Sequence, residues 1–357
     1  MDIGLFPEDR RIPATALVDI LKEMHGVKED NAITNFHELH DRNLASVVVT
    51  RKDADEVDDY YSEHFVTQHD MLRELAIHRS RQVPEEQRER LIVEITRNNL
   101  PDWWNEQKEQ PFNACLLAIS TDESFSSEWC DIQLPKAKLL DYATNLTRIR
   151  LERISIPSLK ETPVILKKLQ KLSLFMCKIG HAFNSIKISE VFPNLEEINI
   201  DYCDDLLELP DGLSDLFKLK KLSITHCHNL SALPEEIGDL VNLEVLRLRF
   251  CIDLEKIPDS ICKLSKLLLL DISDCFSIRN LPGNIGQLRS LKKLSMKNCS
   301  RLRELPPSVL DFEHLKDVVC DEELKELWEF YLPADATRKL KLAKDEVNLN
   351  WLENHYF

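Results

Sequence analysis

Three groupings in this sequence are of residue types that do chemistry. His226-Cys227-His228 sets two imidazoles and a thiol side by side, the groups that bind zinc. Glu235-Glu236 pairs two carboxylates, and Arg247, Arg249 and Phe250 bring two guanidinium groups beside an aromatic ring, a combination enriched where proteins meet. The first two fail on spacing. Successive strand residues face opposite ways, and a zinc site needs about four converging ligands, which are not evident around the triplet. The paired acids fall in a turn, and no Ser-His-Asp or Cys-His spacing stands out. The expectation is therefore no metal site, no catalytic residue and no enzyme.

Cys227 has a different explanation. Cysteines recur at Cys203, Cys227, Cys251, Cys275 and Cys299, each 24 residues after the last. Around them runs one phrase, clearest as Leu243-x-x-Leu246-x-Leu248-x-x-Cys251-x-x-Leu254-x-x-Ile257-Pro258-x-x-Ile261-x-x-Leu264. This is the leucine-rich repeat, at a normal period for that pattern. Leu246 and Leu248 share one face of a short strand. Cys251 marks where the chain leaves the strand and turns inward, and Pro258 opens a turn that carries Ile261 and Leu264 to the far wall. One coil cannot bury its apolar face alone, so coils stack into a horseshoe whose strands line a concave surface. The fold class expected is α/β, a leucine-rich-repeat solenoid preceded by a small winged-helix domain.

Residues between the leucines face the concave side. The candidate interaction face is Arg247, Arg249 and Phe250, flanked by His226 on one side and by Asp271, Asp274, Lys293 and Lys297 on the other. For each of these the alternative is an ordinary solvated strand position.

The first 80 residues are not repeats. Ile12-Pro13 opens a helix with Leu17, Ile20, Leu21 and Met24 on one face. A second helix is expected over Asp30 to Asp41. Strands are expected over Leu44 to Thr50 and Tyr60 to Val66, joined by an acidic loop. Two helices and a hairpin outline a winged helix. Its wing carries Asp53, Asp55, Glu56, Asp58 and Asp59, which repel phosphates, so nucleic acid is not an expected partner. Thr67, with Asp70 three residues on, reads as a capping-box start for a helix, placing His69 in a first turn that favours an anion.

Leu5-Phe6-Pro7-Glu8-Asp9, Ile12-Pro13 and Thr67-Gln68-His69-Asp70-Met71-Leu72-Arg73-Glu74-Leu75-Ala76, together with the Leu-Pro repeats, resemble a plant NB-LRR immune receptor. The Gln-His-Asp variant of that family's Met-His-Asp motif looks most like the helper class whose N-terminal domain resembles the powdery-mildew-resistance coiled coil. The resemblance implies a nucleotide switch in which the motif histidine reaches the β-phosphate of bound ADP. That role would fall on His69, with Gln68 and Asp70 beside it, and exchange for ATP would open the receptor. It also implies a repeat region that contacts the receptor's own NB-ARC module and other immune-signalling proteins, lipase-like partners among them.

The family's phosphate loop and magnesium-binding acids would lie upstream of Met1. Among seven scattered glycines there is no G-x-x-x-x-G-K-[ST]. The expectation is therefore no cofactor held by this chain, although ADP and ATP serve the full-length family. The chain reads either as a C-terminal piece of such a receptor or as a truncated relative. A plain leucine-rich-repeat scaffold or adaptor without a switch is the alternative.

Composition agrees with an interaction protein. A formal charge of −16, from 62 acidic and 46 basic residues, disfavours nucleic-acid or anionic-membrane binding. No apolar run approaches the roughly 20 residues of a membrane span. Half of the ten cysteines occupy one repeat position, in coils about 4.8 Å apart, too far for the roughly 2 Å of a disulfide. Reduced thiols indicate a cytoplasmic setting, with a nuclear or plasma-membrane-associated pool left open. The expected organisation is a winged helix over 1–80, a linker over 81–112, repeats over 113–320 and a cap over 321–357.

Overall fold

The computed structural model describes residues 12–13, 38, 42, 45–49, 64–68, 75, 78, 82–84, 87–95, 113–121, 145–156, 165–180, 182, 186–331 and 340–342. The chain divides into two compact units, one of Met1–Arg88 with Asp345–Phe357 and one of Glu89–Lys344.

In the first unit, β1 (Ile12–Pro13), β2 (Ala45–Val49) and β3 (His64–Gln68) form one sheet in the order β1-β3-β2. The expected hairpin is present, since β2 and β3 pair antiparallel with Val47 opposite Val66. Two expectations change. Ile12-Pro13 does not open a helix but pairs antiparallel with Val66 and Phe65, because an edge strand accommodates a proline that brings no N–H to the ladder. Thr67 is not a helix cap. β3 runs on to Gln68, and Thr67 lies opposite Ser46 in the ladder, which gives its backbone groups strand partners. Glu38, Leu75 and His78 are helical. The remainder of both expected helices, together with His69 and Asp70, lies outside the described residues.

The second unit is a ladder of parallel strands. In chain order these are β4 (Arg90–Ile95), β5 (Leu116–Thr121), β6 (Arg148–Glu152), β7 (Lys171–Phe175), β8 (Glu197–Asp201), β9 (Lys221–Thr225), β10 (Val245–Arg249), β11 (Leu269–Asp271), β12 (Lys293–Ser295), β13 (Asp317–Cys320) and β14 (Leu340–Leu342). Each hydrogen-bonds to its sequence neighbour, making one sheet of 11 strands. Register follows the repeat, so Leu246 lies opposite Leu222 and Leu270. The sheet begins earlier than the leucine spacing indicates. Arg90–Ile95, which falls within the expected linker, is a strand. Its Leu91, Val93 and Ile95 alternate with Arg90, Ile92 and Glu94 and are buried, a period of two that a helix cannot use. β5, where the expected repeats begin, is therefore the second strand of the sheet and not the first.

One coil shows how the sequence makes the stack. In β10, Leu246 and Leu248 are fully buried and Val245, Arg247 and Arg249 are not. Leu254, Ile257, Ile261 and Leu264 complete the buried lining, each such side chain contributing about 1.5–3 kcal/mol relative to exposure. The return path is a 3-10 turn over Asp259–Lys263, entered at Pro258 in extended conformation. These turns pack so closely that a Cβ on Gly238 would collide with the Ser260 carbonyl oxygen, whereas Gly283 has open space around it.

The cysteines form an interior column. Cys203, Cys227, Cys251, Cys275 and Cys299 are fully buried free thiols. Each of several donates to a carbonyl of the preceding coil, as Cys227 to Ile200 at 3.9 Å, Cys251 to Ile224 at 3.7 Å and Cys299 to Ile272 at 3.1 Å. Burial pushes the Cys177 and Cys227 thiols up to about 12.

The helix Glu322–Tyr331 (α2, following the short α1 at Ile188–Val191) follows β13, within the expected cap. Leu324 and Trp328 face the last coil. Trp328 is fully buried and its indole N–H donates to Met296 Sδ at 3.4 Å. β14 then adds to β13 in parallel. Leu340–Leu342, within the expected cap, thus extends the ladder, and residues 343–357 lie outside the described residues.

Candidate functional site

The side of the sheet away from the buried leucines presents rows of residues, one from each coil. Lys171, Glu197, Lys221, Val245, Leu269, Lys293 and Asp317 are in register along one row. Lys171 and Glu197 are 2.9 Å apart. Burial raises the Glu197 pKa, but Lys171, Asn199 and Lys221 more than offset that and hold it below the usual carboxylate range.

Arg247 lies opposite Asp271 across β10 and β11. Arg249 sits between Asp271 and Asp274, 3.8 Å from a carboxylate oxygen of each. The structure thus brings Arg249, Asp271 and Asp274 together as one ion cluster. Lys293 is half-buried in β12. Asp274 and Lys297 are buried, at 5% and 4% exposure, so they brace the face rather than present a charge to a partner. The expectation that they belong to the contact surface is corrected on that ground: Asn298 Nδ2 donates to Asp274 at 2.7 Å, and the Lys297 carbonyl accepts the Asp274 N–H.

Sequence reasoning missed a row one position further on. The residue just before each buried ladder position is left-handed: Arg153 (φ 54°), Met176 (51°), Tyr202 (54°), His226 (53°), Phe250 (53°), Asp274 (63°) and Asn298 (59°). There the chain leaves the strand. Its N–H reaches the next coil, as Tyr202 to Thr225 O at 3.0 Å, His226 to Arg249 O at 2.9 Å and Phe250 to Ser273 O at 3.1 Å. That conformation costs a residue with a Cβ roughly 1–2 kcal/mol, least for Asn and Asp.

At three consecutive coils the row carries rings. His226 stacks on Tyr202 at 4.1 Å (4° between planes) and on Phe250 at 4.5 Å (11°), and Phe175 meets Tyr202 edge-on at 5.7 Å. Such pairs are worth about 0.5–1.5 kcal/mol each beyond their burial. His226 Nδ1 lies 3.1 Å from Asp201, which also accepts from Thr225 Oγ1. Burial, with Asp201 and Asp204 nearby, holds the Tyr202 phenol well above its usual range. Phe250 is therefore the half-buried end of a column. A signal was available, because the residues preceding Cys203, Cys227 and Cys251 read Tyr, His, Phe.

The His228 ring meets the His226 ring edge-on at 6.4 Å, and its Nδ1 lies 3.0 Å from Asp204. Gln68 closes β3, and no side chain of that strand is described. Among the described residues no three of His, Cys, Asp or Glu cluster as metal ligands, and no helix is long and apolar enough to cross a membrane.

Stacked parallel strands, a 24-residue period and 3-10 return turns define a leucine-rich-repeat solenoid. A family model described as a leucine-rich repeat region matches residues 168–299. The leucine-rich repeat domain of the type III effector XopL superposes with a TM-score of 0.50 at 17% identity, covering 86% of this chain and 95% of that one, which is a likeness of fold.

Among the proteins this repeat region is similar to are disease resistance proteins of Arabidopsis thaliana. Disease resistance protein ADR1 is 34% identical over 58% of this chain and 32% of its own length. Probable disease resistance protein At5g66910 is 39% identical over 62% of this chain and 32% of its own length. Probable disease resistance protein At5g66890 is 36% identical over 62% of this chain and 63% of its own length. The chain thus spans about a third of the length of ADR1.

Proposed function

We propose that this chain acts in plant defence as the protein-binding repeat region of a helper-class NB-LRR receptor, and that it is not an enzyme. The observation that carries the reading is the uninterrupted 11-stranded sheet, whose relatives are disease resistance proteins. An open sheet of this kind offers a long surface for another protein, because each coil adds one strand's worth of contact positions. In such a receptor the repeats would dock on its own NB-ARC module and hold it closed, and would also meet immune-signalling proteins, with lipase-like partners among the candidates. His69, with Gln68 and Asp70, would serve the ADP phosphate only beside a phosphate loop. This reading places the chain in the cytoplasm.

Co-expression in leaf tissue with the nucleotide-binding portion of an autoactive helper receptor tests this. The chain should co-precipitate with that portion and suppress the cell death it causes. Absence of both effects, at equal accumulation of the proteins, would overturn the reading.

A further inference from the structure

The ring column is an unusual use of sequence. The left-handed position before the buried cysteine is filled at two later coils by Asp274 and Asn298, residues that tolerate it. At Tyr202, His226 and Phe250 the chain instead holds aromatic rings at φ between 53° and 54°. Stacking offsets part of that cost, but the turn itself does not require rings, since neighbouring coils form the same backbone hydrogen bonds without them.

The rings stand where the strands end, and they are partly open, with the His226 side chain 21% exposed. The position just after the cysteine continues the patch, with His228 38% exposed and Phe276 42% exposed. Carboxylates border it. Asp201 is 35% and Asp204 60% exposed at the side chain, and Asp253, whose N–H donates to the His228 carbonyl at 3.2 Å, is exposed. The chain already sets one cation against this column, the Arg249 guanidinium 5.8 Å from the Phe250 ring centre.

From this we propose that the Tyr202–His226–Phe250 column and its bordering aspartates are the docking strip for a protein segment bearing an exposed lysine or arginine. Such a side chain matches both halves of the patch: its aliphatic stem lies along the ring edges while its charged head reaches the carboxylates. The inference rests on the reading of the solenoid as a protein-binding surface, and it names both where on that surface the partner sits and what chemistry it brings.

The test uses asparagine, which accepts the left-handed backbone and removes the ring. A random dodecapeptide phage library is panned against the full chain, and a selected peptide is fluorescently labelled and titrated. Selected peptides should be enriched in Lys and Arg. Binding should weaken at least about tenfold in the His226→Asn/Phe250→Asn double variant and in Asp204→Asn, while the melting temperature of each variant stays within a few degrees of the parent.

A large drop in melting temperature would mean the rings are kept for the fold and would overturn the proposal. Peptides that bind the variants as tightly as the parent but lose affinity on Arg247→Ala would also overturn it, while leaving the solenoid a binding surface. Failure to select any peptide would count against both.

Discussion

The Asp321 carboxylate accepts the backbone N–H of Asn298 at 2.9 Å with one oxygen, and the N–H of Leu324 at 3.0 Å with the other. In earlier coils a backbone carbonyl of the next coil accepts the N–H of the left-handed residue. At Asn298 a side chain takes over and in the same step caps α2. Asp321→Ala should therefore cost about 1–3 kcal/mol, the penalty for an N-cap plus an orphaned donor. Urea unfolding measures the loss, and amide exchange should show it concentrated at Asn298 and the first turn of α2.

Two glycines make an internal control. Gly238→Ala drives a methyl into the Ser260 carbonyl and should destabilise by about 1–3 kcal/mol. Gly283→Ala meets open space and should be neutral, or stabilising by up to about 1 kcal/mol through the unfolded chain. Equal effects in denaturant titrations would contradict the close packing of the return turns.

The buried thiols make stability fall at high pH. Their ordinary value is 9.0, and burial holds Cys177 and Cys227 at about 12. The native state keeps protons that the unfolded chain releases, so this contribution is full below about pH 9 and is lost as the pH rises towards about 12. Native protein should therefore react slowly with a thiol reagent at pH 8 and unfold cooperatively in that alkaline window. Cys227→Ala should flatten the pH dependence.

Lys171→Met leaves Glu197 without its cation 2.9 Å away. Both side chains are mostly buried, so the loss at neutral pH should be about 3 kcal/mol. In the parent, the Glu197 contribution is present above the ordinary carboxylate range and lost as the pH falls through its lowered value. The gap between variant and parent should consequently narrow on acidification, once Glu197 is protonated. A gap independent of pH would show the lysine acting by packing alone.

The solenoid was legible because its period is written in side chains that must be inside: cysteines and leucines repeat in register, and those at the repeat positions are buried from Leu195 to Cys299, while Leu207, outside the phrase, is exposed. Arg90–Ile95 was not, because an end strand lacks the repeat phrase and its charged residues look like a linker. The ring column escaped for a different reason. Tyr202 drew no notice and His226 and Phe250 read as separate positions on a candidate face, and only backbone geometry, invisible in one coil, shows that they touch across three. Ile12-Pro13 satisfies either a helix start or an edge strand, and pairing with Val66 and Phe65 decided between them.

The uniform period has one more consequence. Since each coil bonds only to its neighbours and all share one register, the segment 243–266 could be excised whole, and Leu219 to Asn242 would meet Leu267 onward with matching leucines, thiols and turns. The solenoid is in that sense modular in length: a whole coil added or removed would change the extent of the exposed sheet face without redesigning the core.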